Sequence, residues 1–357
     1  MTILTHLSDL VEVVIGVDTH VDTHTAAAVH AGTGAVLGEL TVPTTPAGYQ
    51  ELIDWASEQS ALRAWALEGT GGHGAGLTRV LERGSEVVIE LDRPVRARRR
   101  HGAKSDSTDA IRAAREALSR DKLGTPRAGG DRQALSVLLA ARSSAIDAAT
   151  TAARQVFSLA IAAPETLRAK LRGHSLETMT AKAARWQINS AWDTETRTTA
   201  TVLKTLARRA QALYTEARQH LDQITTLVKA WRPDLLELVG VGPIVAATVL
   251  CAWSHPGRIH SEAAFAMLAG VAPIPANSGR TTGRYRLNRA GDRGLNAALH
   301  IVALTRARHD QRTKAYIARR TNEGKTPREI RRCLKRYIAR DLYRTLENHT
   351  PTPLDET

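Results

Sequence analysis

The feature that most constrains the fold is a short apolar run over residues 11–18, which reads Val-Glu-Val-Val-Ile-Gly-Val-Asp. Five of its eight positions hold valine or isoleucine, and β-branched residues favour strands. A run this short and this apolar predicts a strand that is buried on both faces of a sheet. Its last residue, Asp18, would emerge at the end of the strand, where it could bind a metal or cap a turn.

The residues that follow alternate strand and helix patterns. Strands are predicted at residues 25–30, 35–42, 63–67 and 86–91, and helices at residues 46–58, 77–83 and 105–120. Three strands followed by alternating helices and strands is the element order of a ribonuclease-H-like α/β domain. We place this domain at residues 1–125.

Long helical patterns replace the strands after about residue 126. Helices at 133–159 and 198–231, with an irregular connector over 162–189, predict an antiparallel helical hairpin or coiled coil that spans residues 126–233. We expect it to serve as a spacer and an oligomer interface.

The remaining residues, 234–357, predict a helical C-terminal domain with helices at 294–308 and 327–346. The sequence Leu-Val-Gly-Val-Gly-Pro near its start fits a helix-hairpin-helix motif, in which glycines allow close backbone approach and a helix N-terminus faces a phosphate. Simple packing of two helices is the alternative.

The charge balance indicates an anionic partner. The chain has 49 Lys and Arg against 36 Asp and Glu, a formal net charge of +13, and residues 280–345 alone hold 19 against five. Nucleic acid is favoured over a membrane surface, because no apolar run approaches the roughly 20 residues that a spanning helix needs. Two cysteines outside any Cys/His cluster argue against a zinc site, and with the Ala- and Arg-rich composition they predict a reduced, bacterial, cytoplasmic protein associated with the nucleoid.

Four carboxylates occupy positions that suit a metal site. Asp18 and Glu68 end predicted strands, and Asp106 and Asp109 lie three residues apart on one face of a predicted helix. Convergence of these oxygens would suit Mg2+, which supports phosphodiester chemistry. Each acid alone has a structural alternative: Asp106 could cap a helix, Asp109 could pair with Arg112, and Glu68 could simply enter a loop. The four together favour the metal site.

Two basic segments are expected to contact a nucleic-acid backbone. The first precedes the paired aspartates and the second is the loop at residues 273–293. The candidate contacts are Arg96, Arg98, Arg99, Arg100 and Lys104 in the first, and Arg280, Arg284, Arg286, Arg289 and Arg293 in the second. The second also holds Ser278, which Gly279 would help to expose. A Ser-Gly pair is more often a turn than a nucleophile, and no His-Asp relay lies nearby in the sequence, so these residues alone do not make Ser278 catalytic.

Taken together, these motifs resemble a known family. The sequences Gly-Val-Asp, Leu-Glu-Gly-Thr, Lys-Ser-Asp-x-x-Asp-Ala, Gly-Val-Gly-Pro, Asn-Ser-Gly-Arg and Arg-Leu-Asn-Arg-Ala-Gly-Asp-Arg occur in this order over nearly the whole chain. In combination they resemble the DEDD transposases of the insertion-sequence 110 family, to which pilin-gene invertases are related.

The resemblance implies a RuvC-like N-terminal domain in which Asp18, Glu68, Asp106 and Asp109 bind Mg2+, followed by a C-terminal transposase domain. It implies that Ser278 is a nucleophile that joins covalently to a DNA phosphate. It further implies a tetramer built as a dimer of dimers, and a structured guide RNA, encoded by the element, that pairs with the DNA of the element ends and of the target.

Three functions remain open on the sequence. The leading one is a recombinase that cuts and rejoins DNA through a phosphoserine intermediate, assisted by Mg2+. The second is a metal-dependent nuclease of the Holliday-junction type, in which water attacks and Ser278 is dispensable. The third is a nucleic-acid-binding or repressor protein, for which the basic C-terminal region would suffice.

Overall fold

The computed structural model describes residues 6–91, 105–276, 285–288 and 290–348. Its residues form two compact units, 1–129 and 130–357. The first is mixed α/β and the second is almost entirely helical, which confirms the predicted fold class at this level. The predicted division into three domains, at residues 1–125, 126–233 and 234–357, stays a prediction.

The first unit is a five-stranded sheet with helices packed on it. Its elements are β1 (Val13–Thr19), β2 (Thr23–His30), β3 (Val36–Pro43), α1 (Pro46–Gln59), β4 (Arg63–Glu68), α2 (Ala75–Arg83), β5 (Val88–Leu91) and α3 (Asp106–Ser119), after a short 3-10 helix at Leu7–Asp9. The strand order is β3-β2-β1-β4-β5. Strands β1, β2 and β3 pair antiparallel, whereas β4 runs parallel to β1 and β5 parallel to β4.

Strand β1 lies at the centre of this sheet and is covered on both faces. Val13, Ile15 and Val17 belong to an apolar core with residues of α1 and α2, whereas Val14 belongs to a second core with residues of α3. Because successive side chains of a strand point to opposite faces, a strand buried this way needs an unbroken apolar sequence. The apolar run that defines β1 therefore identified the centre of the sheet.

The second unit begins with two long helices, α4 (Gly130–Ala162) and α7 (Thr194–Trp231). The start of α4 shares a core with the end of α7, and the end of α4 shares a core with the start of α7, so the two helices are antiparallel. Alanines such as Ala149 and Ala210 are fully buried along them, which lets the helix backbones approach closely. At about 1.5 Å per residue each helix is roughly 50 Å long or more.

The connector between these helices is more regular than the predicted irregular segment. It contains α5 (Glu165–Leu171) and α6 (Leu176–Ala184). Ser175 caps α6 by accepting a hydrogen bond from the Thr178 amide at 3.3 Å. Each helix has only seven to nine residues, too few for a helical period to stand out from the polar sequence around it.

The remainder of the second unit packs around a large apolar core. Its elements are a 3-10 helix (Pro233–Glu237), α8 (Pro243–Trp253), α9 (Glu262–Leu268), β6 (Pro273–Pro275), β7 (Tyr285–Leu287), α10 (Arg293–His309), α11 (Gln311–Asn322) and α12 (Pro327–Asn348). The sequence predicted α8, α10 and α12 but neither α9 nor α11, and it predicted only a loop where β6 and β7 pair antiparallel. In the predicted helix-hairpin-helix segment, Gly240 adopts φ +87° and Gly242 is the N-cap residue of α8. The motif itself stays a prediction.

One buried arginine joins the ends of several of these elements. Arg232, which is 3% exposed, pairs with both carboxylate oxygens of Asp234 at 2.8 and 2.6 Å. It also donates to the carbonyl oxygens of Thr345 and Leu346 at 2.8 and 3.2 Å, and its guanidinium lies 5.9 Å from the ring centroid of Trp253. These carbonyls lie in the last turn of α12, where helical partners are lacking.

None of the helices in the described ranges is long and apolar enough to cross a bilayer.

Candidate functional site

Two of the predicted carboxylates lie at the ends of neighbouring strands. Strands β1 and β4 are parallel and pair Val17 with Leu67, which places Asp18 and Glu68 one residue further along each strand at the same edge of the sheet. Next to Asp18, the hydroxyl of Thr19 donates to the carbonyl oxygen of Glu68 at 3.3 Å and ties the two strand ends together. The edge of a sheet beyond the carboxyl ends of parallel strands is the usual position of a ligand site in α/β folds.

Helix α3 brings the other two carboxylates to this edge. Ser105 caps the helix by accepting a hydrogen bond from the Thr108 amide, so Asp106 and Asp109 fall in its first turn. The helix packs directly on β1 at Gly16, where a Cβ would overlap the carbonyl oxygen of Ala110. This contact fixes the start of α3 above the end of β1.

Asp18 and Asp106 meet through His20, a residue that the sequence did not identify as part of a site. The His20 Nε2 atom lies 3.1 Å from Asp18 Oδ2 and 3.5 Å from Asp106 Oδ1. One ligand atom from each of the three side chains lies within 4.8 Å of the other two. A histidine directly after a strand carries no signature of its own, because only the fold shows that it turns back toward a carboxylate.

Glu68 experiences the negative charge of this cluster. Partial burial raises the pKa of Glu68, and the negative charges of Asp18, Glu116 and Asp109 raise it further. Like charges close together disfavour the ionised form, so the site resists holding all of its carboxylates ionised without a cation. The same electrostatics favour the binding of a divalent cation.

Asp109 takes part in the alternative contact that the sequence offered. Its Oδ1 atom accepts a hydrogen bond from Arg112 Nη1 at 2.9 Å, with the Arg112 side chain 64% exposed. An exposed pair of this kind contributes little to stability, since such pairs are typically worth about 0.2–1 kcal/mol. Asp109 is therefore paired with Arg112 through a contact that does little to hold its carboxylate in place.

A glycine-rich loop after Glu68 borders the site. Gly69 adopts φ +67°, a conformation that side-chain-bearing residues rarely take, and it turns the chain away from β4. The hydroxyl of buried Thr70 donates to the Glu90 carboxylate at 2.8 Å, which fastens the loop to β5. The loop thus ties the end of β4 to its neighbour β5.

The chemistry of these donors fits a magnesium ion. Asp18, Glu68, Asp106 and Asp109 offer hard carboxylate oxygens, which Mg2+ prefers, and Asp18 and Asp106 lie close enough to bind the same ion. Assignment of all four as metal ligands stays a prediction.

Most of the predicted nucleic-acid contacts fall outside the described residues. These are Arg96, Arg98, Arg99, Arg100, Lys104, Arg280, Arg284 and Arg289, together with the candidate nucleophile Ser278. Arg286 lies in β7 and Arg293 begins α10, and both line one cavity of the second unit.

The Asn-Arg-Ala-Gly-Asp sequence that follows β7 has a structural role. Asn288 donates from Nδ2 to the Met267 carbonyl oxygen at 2.8 Å, and Asp292 caps α10 by accepting from the Leu295 amide at 2.8 Å. Between them, Gly291 lies so close to Gly270 that a Cβ would overlap the Gly270 backbone. This sequence fastens the end of the hairpin to the end of α9.

Comparison with known proteins covers both units. Residues 15–160 match a family model described as a transposase of the DEDD IS110 type, and residues 233–318 match a model described as Transposase IS116/IS110/IS902 family. The "Insertion element IS900 uncharacterized 42 kDa protein" of Mycobacterium paratuberculosis is 31% identical over 153 residues, which make up 42% of this chain. The match spans 38% of that relative's length.

Proposed function

We propose that this chain is an IS110-family transposase, which its matches over residues 15–160 and 233–318 support, and that it cuts and rejoins DNA strands for an insertion sequence. The observation that carries the proposal is the meeting of Asp18 and Asp106, one at the end of β1 and the other at the start of α3. Both residues lie within the matched segment 15–160.

In this proposal the first unit is a RuvC-like domain. Its strand order, with three antiparallel strands followed by two parallel ones, supports this assignment. Asp18, Glu68, Asp106 and Asp109 would hold Mg2+, which when bound neutralises the negative charge that develops on a phosphodiester. The chain itself contributes the placement of these oxygens, through the strand ends tied by Thr19 and the helix seated on Gly16.

Ser278 is the proposed nucleophile. Its hydroxyl oxygen attacks the phosphorus of a DNA phosphodiester and loses its proton to solvent, while the bond from phosphorus to the leaving strand breaks and the leaving oxygen takes up a proton. A hydroxyl of a second strand then attacks the phosphoserine and restores the serine. Each bond broken is replaced by an equivalent one, so the exchange needs no energy-rich cofactor.

The proposed partners are DNA of the element ends and target, and a structured guide RNA. Residues 280–345 hold 19 Lys and Arg but only five Asp and Glu, which supports binding to a polyanion. We also propose a tetramer, a dimer of dimers, for which the long exposed faces of α4 and α7 offer surface. Phe157, Ile161 and Val202 are 44%, 53% and 41% exposed on these helices.

A covalent-adduct assay tests the proposal. Wild-type protein is incubated with Mg2+, guide RNA and element-end DNA, and protein–DNA adducts are separated on a denaturing gel. Adducts should form with wild type and vanish in Ser278→Ala, whereas Ser158→Ala, which removes an exposed hydroxyl on α4, should retain them. Asp18→Asn should reduce adduct formation, and Asp54→Asn on the exposed face of α1 should not.

Two other results would contradict the proposal. Cleavage that depends on Asp18 but persists in Ser278→Ala, without any adduct, would identify a hydrolytic nuclease. DNA binding with neither cleavage nor adduct in any condition would identify a binding protein.

A further inference from the structure

The second unit contains a cavity that is lined in part by Arg286 and Arg293, two of the predicted nucleic-acid contacts. It has a volume of about 820 Å³ and lies between the β6–β7 hairpin, the first turns of α10 and the middle of α12. Its size falls within the range of roughly 300–1,000 Å³ that is typical of small-ligand sites. The cavity can therefore hold a group the size of a nucleotide.

Two tyrosines open onto this cavity. Tyr285 of β7 is 63% exposed and Tyr337 of α12 is 46% exposed. The chain has only six tyrosines and two phenylalanines, so two exposed aromatic rings at one cavity are a concentration of an uncommon residue type. The Tyr337 ring is held edge-on by Tyr316, with ring centroids 5.6 Å apart and an interplanar angle of 83°. The Arg340 guanidinium lies over the Tyr337 ring, 5.6 Å from its centroid, so a base can stack on Tyr285 and on the other face of Tyr337.

The cavity is strongly cationic. The basic residues that line it are Arg286, Arg293, His300, Arg332, Lys335, Arg336 and Arg340, and none of the described lining residues is acidic. Glu262 lies 3.8 Å from Arg336 and 3.3 Å from Arg340, so part of this charge is compensated from α9. Within the described ranges, Arg286, Arg293 and Arg332 make no ion pair. Their charge remains available to an anionic ligand.

Hydrogen-bonded polar groups line one side of the cavity. Lys335 is half buried and donates from Nζ to Asn296 Oδ1 at 2.5 Å, while Asn296 Nδ2 donates to the Ala269 carbonyl oxygen at 2.7 Å. The close approach of Gly291 to Gly270 forms the adjoining wall. The cavity thus combines fixed polar groups, aromatic rings and arginines. These are the features of a site that binds both a base and its phosphate.

We infer that this cavity binds an unpaired nucleotide of single-stranded DNA, whose base packs against both Tyr285 and Tyr337 and whose phosphate pairs with the arginines. A base that remains stacked within a duplex cannot enter such a cavity, because it must first leave its neighbours. The inference rests on the proposed function, in which DNA strands are opened and exchanged. It adds that the chain holds part of a DNA strand in unpaired form.

The experiment measures binding of the full chain to a labelled 15-nucleotide single strand, to the same sequence as a duplex, and to the matching RNA strand. A 2-aminopurine base in the single strand reports stacking through loss of its fluorescence. Tyr285→Ala and Tyr337→Ala should each weaken single-strand binding about tenfold, since stacking is worth roughly 1–3 kcal/mol per base. Tyr285→Phe should bind like wild type, as should Tyr214→Ala, which removes a 43% exposed ring on α7.

Duplex affinity should change less than twofold in the tyrosine variants, and the 2-aminopurine signal should fall with wild type and not with Tyr285→Ala. Unchanged single-strand affinity in both alanine variants would overturn the inference, as would an effect confined to the RNA strand or displacement of DNA by a mononucleotide that binds more tightly. Adduct formation is scored on the same proteins. Tyrosine-dependent binding without adducts would refute the proposed function alone, and adducts without tyrosine-dependent binding would refute this inference alone.

Discussion

Gly16 of β1 lies directly beneath Ala110 of α3, so closely that a Cβ added to Gly16 would overlap the Ala110 carbonyl oxygen and lie 2.5 Å from the Ala114 amide nitrogen. Helix α3 begins one turn before Ala110, at Asp106. The distance between Asp106 and Asp18 is therefore set by a contact that involves neither side chain. A candidate metal site depends here on a glycine that has no ligand atom.

Gly16→Ala should displace α3 and separate Asp106 from Asp18. Overpacking of this kind typically costs about 1–3 kcal/mol, and urea unfolding should show a loss of that size. Adduct formation should fall together with stability. Gly38→Ala is the matched control, because a Cβ on this strand residue would have its nearest neighbour at an ordinary 3.5 Å. Equal stability of the two variants would show that the contact at Gly16 is not tight.

His20 should compete with a metal ion for Asp18. Its Nε2 atom contacts Asp18 Oδ2, an oxygen that a cation at this site would also use. His20→Ala should therefore increase Mg2+ affinity by about tenfold or less, since a hydrogen bond contributes a net 0.5–1.5 kcal/mol. Calorimetric titration with Mg2+ measures the change, and His30→Ala, whose ring contacts Thr33 instead, is the control. Unchanged or weaker affinity in His20→Ala would contradict this role.

The sequence predicted the first unit well because the relevant signals are local. Strands β1 and β4 are short, mainly apolar runs, and Asp18 and Glu68 were recognised because they end these two runs. The approach of Asp106 to Asp18 depends on how α3 packs on β1, which no local pattern records. The sequence therefore identified these acids as candidates, while their distance and the intervening His20 required the fold.

Gly291→Ala should destabilise the second unit and disturb the hairpin beside it. A Cβ at this position would overlap Gly270 and lie 2.9 Å from the Leu268 carbonyl oxygen. Both neighbours are backbone, so relief requires movement of α9 relative to α10, at a cost of about 1–3 kcal/mol. Thermal unfolding checks the stability, and Gly129→Ala, where no atom lies within 4 Å of the added Cβ, should match wild type. A stable Gly291→Ala variant with intact single-strand binding would contradict the expected role.

Arg232→Lys should destabilise the protein although it keeps the positive charge. Lysine cannot reproduce the paired contacts to Asp234 together with the bonds to the Thr345 and Leu346 carbonyls. Buried groups left without partners cost about 1–3 kcal/mol, which should appear as a lower Tm. Arg209→Lys, an exposed change on α7, should alter stability by less than about 0.5 kcal/mol. A wild-type Tm for Arg232→Lys would show that the carbonyl contacts contribute nothing.

Acidification should destabilise the first unit through His24. This ring is fully buried and stacks on Tyr49 with centroids 5.7 Å apart, and its Nε2 has no partner among the described residues. Burial lowers the pKa of His24 below its usual value, and the charges of His20 and His73 act in the same direction. The unfolded chain therefore binds a proton more readily, so stability should fall as the pH drops below about 6.5.

His24→Phe tests this effect, because it retains the ring stack but cannot take up a proton. Urea unfolding at pH 7.5 and pH 5.5 should show a smaller loss of stability for His24→Phe than for wild type. His6→Phe, which alters an exposed histidine of the same unit, should keep the wild-type pH dependence. An unchanged pH dependence in His24→Phe would assign the acid sensitivity to other groups.

Prediction was poorest where short elements depend on distant partners. Helices α5, α6, α9 and α11 have seven to twelve residues each, and their apolar positions are meaningful only against the helices on which they pack. Strands β6 and β7 have three residues each, and two of the three residues of β6 are prolines. For that reason the sequence of this hairpin resembles a loop. For Ser278 the sequence offered a Ser-Gly pair in an arginine-rich loop, which a simple turn explains equally well, so the resemblance alone favoured a nucleophile.

The Asn288–Asp292 segment also bears on how related chains should be interpreted. Asp292 caps a helix, Asn288 donates to one backbone carbonyl and Gly291 allows the close approach of Gly270, and none of these roles involves bond cleavage. A chain that keeps these residues but has lost the serine upstream would still fasten the end of the hairpin to α9 and would still resemble this one in sequence. Presence of the motif therefore indicates this local architecture, and the proposed strand exchange has to be tested at Ser278 and the four carboxylates instead.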